Sequence, residues 1–204
     1  MRRIVIGVDE AGRGPLAGPL TLSALVAPIK LRSKLIKILG GKIKDSKQFS
    51  KKRRKEIYRE FLKLRKEGKI FFTAYHIPNK IIDGKGISYA TKLGIKRCLK
   101  NLEIKNYLKI KNLKLKILLD GSLKAPPEYK NQRTVIGGDG KDIFIACASV
   151  ISKVRRDRLM CRLAKKYPHY GLEIHKGYGT KLHYSLLRKH GISEIHRRSF
   201  LTNL

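Results

Sequence analysis

Short apolar, β-branched runs alternate with helical patterns along most of the chain. The runs at 4–8 (IVIGV) and 20–27 (LTLSALVA) predict two strands, separated by a bend rich in Gly and Pro. The stretch 41–49 (GKIKDSKQF) reads as a loop, after which Ser50 can cap a helix. In that helix Ile57, Phe61 and Leu64 form one apolar stripe, ending near Gly68. IFFTAY at 70–75 predicts a third strand, residues 86–102 a second helix, and LKILL at 115–119 a fourth strand. A loop with Pro126 and Pro127 leads to a short strand around 133–136. The longest helical pattern covers 141–166, with Ile143, Cys147, Val150 and Val154 at helical spacing. Its small residues Ala146, Ala148 and Ser149 suit close packing on a sheet. A loop at 171–179 and a short helix ending near Gly191 complete the pattern.

Two early strands with a short connection should pair antiparallel, whereas later strands alternating with helices favour parallel pairing. The expected architecture is therefore a mixed α/β sheet with helices on its faces. No repeat, low-complexity linker or compositional boundary interrupts the 204 residues, so one domain over 1–204 is expected. At 42% hydrophobic residues the chain can build a core, which argues against a disordered tail protein.

Charge narrows the range of partners. Lys and Arg total 48 against 15 Asp and Glu, a formal net charge of +33. Such a field gathers polyanions, and nucleic acid is the natural partner because each neutralised phosphate releases counterions. A compositional lean toward Lys and Ile, with no partner implied, stands beside that reading. No apolar run approaches the ~18 residues of a spanning helix. The start, MRRIVIGVDEAG, lacks the apolar core of a signal peptide. No membrane association and a cytoplasmic location are expected. Cys98, Cys147 and Cys161 show no CxxC spacing and read as small buried residues in a reducing compartment.

Against this basic background, carboxylates at strand ends stand out. Asp9 and Glu10 end the first strand, Asp120 ends the fourth in LLDG, and Asp139 follows the fifth in GGDG. Converged on one point, they would repel one another, and some would hold protons above their normal pKa. A hard divalent cation removes that cost, and two such ions can activate water and stabilise the leaving oxygen of a phosphodiester. Consecutive strand residues face opposite sides, so Asp9 and Glu10 would share a site only where the strand breaks, as Ala11 and Gly12 allow. By spacing alone, surface carboxylates paired with abundant lysines fit equally well.

The segment GVDEAGRGPLAGPL at 7–20 closely resembles the opening signature of the ribonuclease HII family. Further resemblances follow in order: DSK at 45–47, LLDG at 118–121, GD at 138–139, SVISKVRRDRLM at 149–160, HKGYGT at 175–180 and HRRSF at 196–200. The resemblance implies a ribonuclease H-like core with a mixed five-stranded central sheet flanked by helices. It also implies a small C-terminal helical segment, about 168–204, that touches substrate. A four-carboxylate site of Asp9, Glu10, Asp120 and Asp139 would use two Mg²⁺ or Mn²⁺ ions. GGDGKDIF departs from the family pattern in lacking a basic residue before the Asp, and Asp142 could instead be a first-turn helix residue. Motif order favours Asp139.

By the same resemblance, Gly12, Arg13 and Gly14 form a loop whose backbone reads a 2′-hydroxyl, the group that separates RNA from DNA. Tyr178 would stack on the sugar of the next nucleotide, and Lys47 would lie near substrate phosphates. Without the motifs, these residues read as a tight turn, a loop anchor and a solvated lysine. Asp157, four residues after Lys153, reads as an ion-pair partner, and His175 and His196 have no metal-binding spacing. The implied partners are RNA–DNA hybrids and ribonucleotide-containing DNA duplexes, met by a monomer. The related ribonuclease HIII carries a sizeable domain ahead of its core, whereas the signature here begins at residue 9. A non-catalytic RNA-binding protein is the rival that explains the charge without clustered acids.

Overall fold

The computed structural model describes residues 3–43, 45–104 and 114–202. The strands β1 (Arg3–Ala11), β2 (Leu20–Pro28), β3 (Phe71–Ile77), β4 (Lys114–Asp120) and β5 (Gln132–Val135) form one sheet in the order β3-β2-β1-β4-β5. β1 pairs antiparallel with β2 and parallel with β4, and β5 continues the parallel side. The third strand departs from the parallel rule, because β3 pairs antiparallel with β2. Two helices rather than one intervene between them: α1 (Arg32–Ile38), which the hydrophobic pattern did not predict, and α2 (Lys51–Lys66). The chain therefore re-enters the sheet at the end where β2 left it, with Phe71 opposite Val26.

α2 begins as expected at Ser50, whose Oγ accepts a hydrogen bond from Arg53 N at 3.1 Å. α3 (Asn79–Ile104) starts earlier than the expected 86–102, in a helical stretch that bends at Gly86 (φ 79°). α4 (Ile143–Lys166) starts two residues later than expected, since Asp142 caps it through Phe144 N at 2.8 Å and Ile145 N at 3.4 Å. The expected loop at 171–179 contains a short helix, α5 (Leu172–His175), and α6 (Lys181–His190) follows.

Period-two burial sorts β1 between two cores. Ile4, Ile6 and Val8 face α3, whereas Val5 faces the layer of α1, α2 and α4. Phe61 and Phe144, at 0% and 1% exposure, anchor that layer, each contributing about 1.5–3 kcal/mol by area. α4 lies directly on β1 because residue 7 is glycine; a Cβ there would overlap the Phe144 backbone. A third cluster, including Leu16, Met160, Leu172, Leu187 and Ile195, ties the C-terminal segment to α4 and to the bend after β1. Cys98 and Cys147 are buried, but Cys161 is partly exposed, contrary to expectation, because its helical position faces the gap between α4 and α2. Among the described residues no helix is long and apolar enough to cross a membrane.

Candidate active site

The pairing of β1 with β4 ends at Val8–Leu119, while β1 continues beside β2 to Ala11. The next residue on each strand is a carboxylate, Asp9 on β1 and Asp120 on β4. Crevices beyond the carboxyl ends of neighbouring parallel strands are where open α/β sheets bind ligands. Here the crevice is a cleft of ≈ 520 Å³ that collects Asp9, Glu10, Asp120, Asp139, Lys47 and Tyr178, together with the Gly12–Gly14 loop. The strand does not break after Asp9, as alternation had required. Glu10 reaches the cleft because the sheet has already opened on its β4 side.

Burial and mutual repulsion dominate the electrostatics. Asp9 is 4% exposed, and its pKa lies well above the ordinary value, first through desolvation and then through Glu10 and Asp120. Hydrogen bonds from Ser149 and from Glu10 N, the latter at 2.7 Å, offset part of this. Burial also raises Glu10, although Arg13 stands 3.6 Å from its Oε1. Glu10 Oε2 is buried and, among the described residues, has no hydrogen-bond partner. Asp120 Oδ1 accepts from Gly138 N at 2.6 Å and Asp139 N at 3.4 Å, so it sets the turn that carries Asp139. Asp139 is pushed up to about 6 by burial, by Asp45 and by Asp120. Burial works against the charged form of Lys47, yet Asp45, Asp139 and Asp9 hold its pKa above the usual lysine value. Asp142 is engaged elsewhere, capping α4 and standing 3.6 Å from Arg32.

An oxygen-only donor set with an unpartnered buried carboxylate oxygen suits hard divalent cations. Among the described residues no three His, Cys, Asp or Glu side chains stand at ligand spacing as they are. Asp139 lies against Asp45, which together with burial favours its protonated form.

Two buried arginines hold the loop beside the acids. Arg156 on α4 donates from Nε, Nη1 and Nη2 to the carbonyls of Pro19, Lys176 and Ala17, at 3.0, 2.9 and 3.2 Å. Arg197 donates likewise to Gly18, Arg13 and Gly12, at 2.9, 2.8 and 2.7 Å. Both are 0% exposed. With its carbonyls bound from beneath, the loop leaves the amides of Arg13 and Gly14 without an acceptor among the described residues. Its two glycines differ in purpose. Gly12 has φ +91°, and a Cβ there would overlap the Arg156 side chain, so packing demands it. Gly14 has nothing within 4 Å of its missing Cβ, so its bare backbone is open to close approach. The motifs SVISKVRRDRLM and HRRSF contain these arginines, but in a chain so rich in cations an arginine does not read as buried.

Tyr178 is 40% exposed at the rim, with Lys153 and Arg156 5.8 and 5.7 Å from its ring centre. Beneath it His183 Nδ1 lies 3.0 Å from Tyr178 O, His175 stacks on His183 at 4.2 Å, and the His183 and His196 Nε2 atoms are 3.2 Å apart. His175 and His196 are thus packed into a histidine cluster beneath the rim, a role the sequence pattern did not indicate. Asp157 forms the expected ion pair with Lys153, at 2.9 Å.

A family model for ribonuclease HII matches residues 6–203. The chain belongs to the ribonuclease HII family. Ribonuclease HII of Caldicellulosiruptor bescii is 42% identical over 202 residues, covering 99% of this chain and 88% of that one. The crystal structure of ribonuclease H2 from Pyrococcus horikoshii superposes with a TM-score of 0.71 at 25% identity, covering 96% and 93% of the two chains. A structure of Bst-RNase HIII in complex with Mn²⁺ has a TM-score of 0.71 at 17% identity; the match covers 97% of this chain and 67% of that one. That likeness is one of fold: a ribonuclease H-type mixed sheet with flanking helices. As a family member the chain is an endoribonuclease, a hydrolase acting on the RNA of RNA–DNA hybrids.

Proposed function

We propose that this endonuclease also cuts duplex DNA on the 5′ side of a single embedded ribonucleotide, leaving 3′-hydroxyl and 5′-phosphate ends. The observation that carries the reading is an acid cleft, with a buried unpartnered Glu10 oxygen, set directly against a loop that presents free backbone amides. Asp9 and Asp120 would hold two Mg²⁺ or Mn²⁺ ions at the centre, with Glu10 and Asp139 completing the set. When bound, such ions lower the pKa of an attacking water and neutralise charge on a leaving 3′-oxygen. Ribonuclease HIII, of the same fold, has been crystallised with Mn²⁺.

The chain's own residues position the substrate. The Arg13 and Gly14 amides can donate to the 2′-hydroxyl, which is read but does not attack. Tyr178 offers its exposed ring to the next sugar, where a deoxyribose fits more closely than a ribose. Lys47, kept charged by three acids, faces the phosphates. The segment from about 168 supplies Tyr178 and, through Arg197, part of the loop's support; its last two residues lie outside the described set. Three free cysteines favour a reducing compartment such as the cytoplasm.

Mapping the product ends tests this reading. A DNA duplex with one ribonucleotide, incubated with Mg²⁺ or Mn²⁺, should yield a single cut 5′ to the ribose and no 2′,3′-cyclic phosphate. A cyclic phosphate would mean that the 2′-hydroxyl attacks. Cleavage of long hybrids with the single-ribonucleotide duplex left intact would remove the junction-reading role of Tyr178 and the loop.

A further inference from the structure

Between α2 and the C-terminal half of α4 lies a groove of ≈ 670 Å³ with basic walls. α2 contributes Lys51, Lys55 and Arg59, four residues apart and so on one stripe; α4 contributes Arg155, Arg158 and Arg162, three and four apart. Among the described residues none of these six has a carboxylate at salt-bridge distance. Asp157, the one acid in the lining, is already shared between Lys153 and Arg54. Like charges at this spacing weaken a helix, so two facing stripes work against the fold on its own. The groove adjoins the acid cleft. Lys153 of the cleft donates to Asp157 of the groove at 2.9 Å, and Arg54 of the groove donates to the carbonyl of Ser46 in the cleft at 3.0 Å. The Arg158 guanidinium lies 4.7 Å over the Tyr58 ring, which restricts where it can point.

We propose that this groove is a second nucleic-acid contact, gripping the phosphates of one strand of the duplex beyond the bond being cut. It rests on the reading of the acid cleft as the hybrid-binding site. Lys51 to Arg59 spans eight residues, about 12 Å of helix at about 1.5 Å each. One strand advances about 3.4 Å per phosphate, so the groove engages about three phosphates. Such contacts fix the duplex's register without reading bases.

The test compares Lys55→Ala/Arg59→Ala/Arg162→Ala with a control that removes the same charge from the opposite face, Lys92→Ala/Lys96→Ala/Lys100→Ala on α3. None of these residues lines the acid cleft. The dissociation constant of a hybrid duplex is measured across a salt series by fluorescence anisotropy. The groove variant should lower the slope of log K against log salt by about 2–3 units, at about 0.9 per phosphate, and weaken binding at least about tenfold. The α3 control should change far less, and turnover at saturating substrate should stay near wild type. Both variants relieve repulsion and should melt no lower than wild type. Should the alanine set melt lower, the glutamine set at the same positions, which keeps the side-chain stems, replaces it. Equal slopes in the two variants, with the wild type cutting normally, would overturn the groove. A wild type that binds with a groove-dependent slope yet never cuts would overturn the reading of the cleft and leave the groove standing.

Discussion

In the cleft, Asp9 is buried and Glu10 half-buried, both with raised pKa values, and among the described residues the buried Glu10 Oε2 has no donor. Under the adjoining loop, Arg156 and Arg197 are buried more deeply still, yet each guanidinium nitrogen has a carbonyl acceptor. Burial and Arg156 push Arg197 down to about 9, which leaves it charged at neutral pH. One region is therefore complete without a ligand, and the other is not. Buried charge that is fully hydrogen-bonded fixes a shape, whereas buried charge left repelling is poised for counter-charge from outside. The loop between the two regions is shaped by the first so that it can serve the second.

The largest effect should come from the completed region. Arg197→Met leaves three carbonyls without a donor and should lower stability by on the order of 3–5 kcal/mol, read by calorimetry. Arg156→Lys should recover only part of the loss from Arg156→Met, because an ammonium cannot reproduce the planar fork. The glycines divide the same way. Gly12→Ala should cost about 1–3 kcal/mol through its φ and the Arg156 contact. Gly14→Ala should stay within about 0.5 kcal/mol of wild type yet narrow the preference for ribose over deoxyribose. If Gly14→Ala proved the more destabilising of the two, the division would be wrong.

Smaller effects follow from pH, with opposite signs in the acid cleft and in the histidine cluster beneath Tyr178. A raised carboxylate pKa means the folded state holds its proton more tightly, so stability is present at low pH and is lost as pH rises through the raised value. Metal-free Asp9→Asn should therefore be more stable than wild type at pH 7 and no different near pH 3, by urea denaturation. Its melting temperature should also respond less to added Mg²⁺ or Mn²⁺. Beneath Tyr178, burial and His175 push His183 down to about 4, the reverse case. Stability present above about 6.5 is lost as pH falls toward 4, and His183→Asn should flatten that limb. Parallel profiles for the two variants would mean the regions do not differ as described.

The strands and long helices were legible because their apolar residues repeat with period two or 3.6 through sequence-local contacts. α1 and the first turns of α3 were not, since their order comes from docking on residues far away in the chain. The antiparallel β3 was hidden because the pattern counts one connecting helix where two exist. Asp9 and Asp120 were visible as carboxylates at strand ends, and register sets them at equivalent positions just past Val8–Leu119. The route by which Glu10 joins them was not, since it depends on where the β1–β4 pairing stops. Arg156 does repeat with Ser152 and Met160 at intervals of four, both fully buried, but in a chain with 48 basic residues an arginine reads as surface.

The most direct measurement sets Asp120→Asn beside wild type on one RNA–DNA hybrid, recording cleavage and binding in the same samples. Cleavage should fall at least about a hundredfold. Affinity should hold or tighten, because one negative charge facing the phosphates is gone. Near-normal cutting, or binding lost in step with cutting, would contradict the assignment of the acid cleft as the reacting centre.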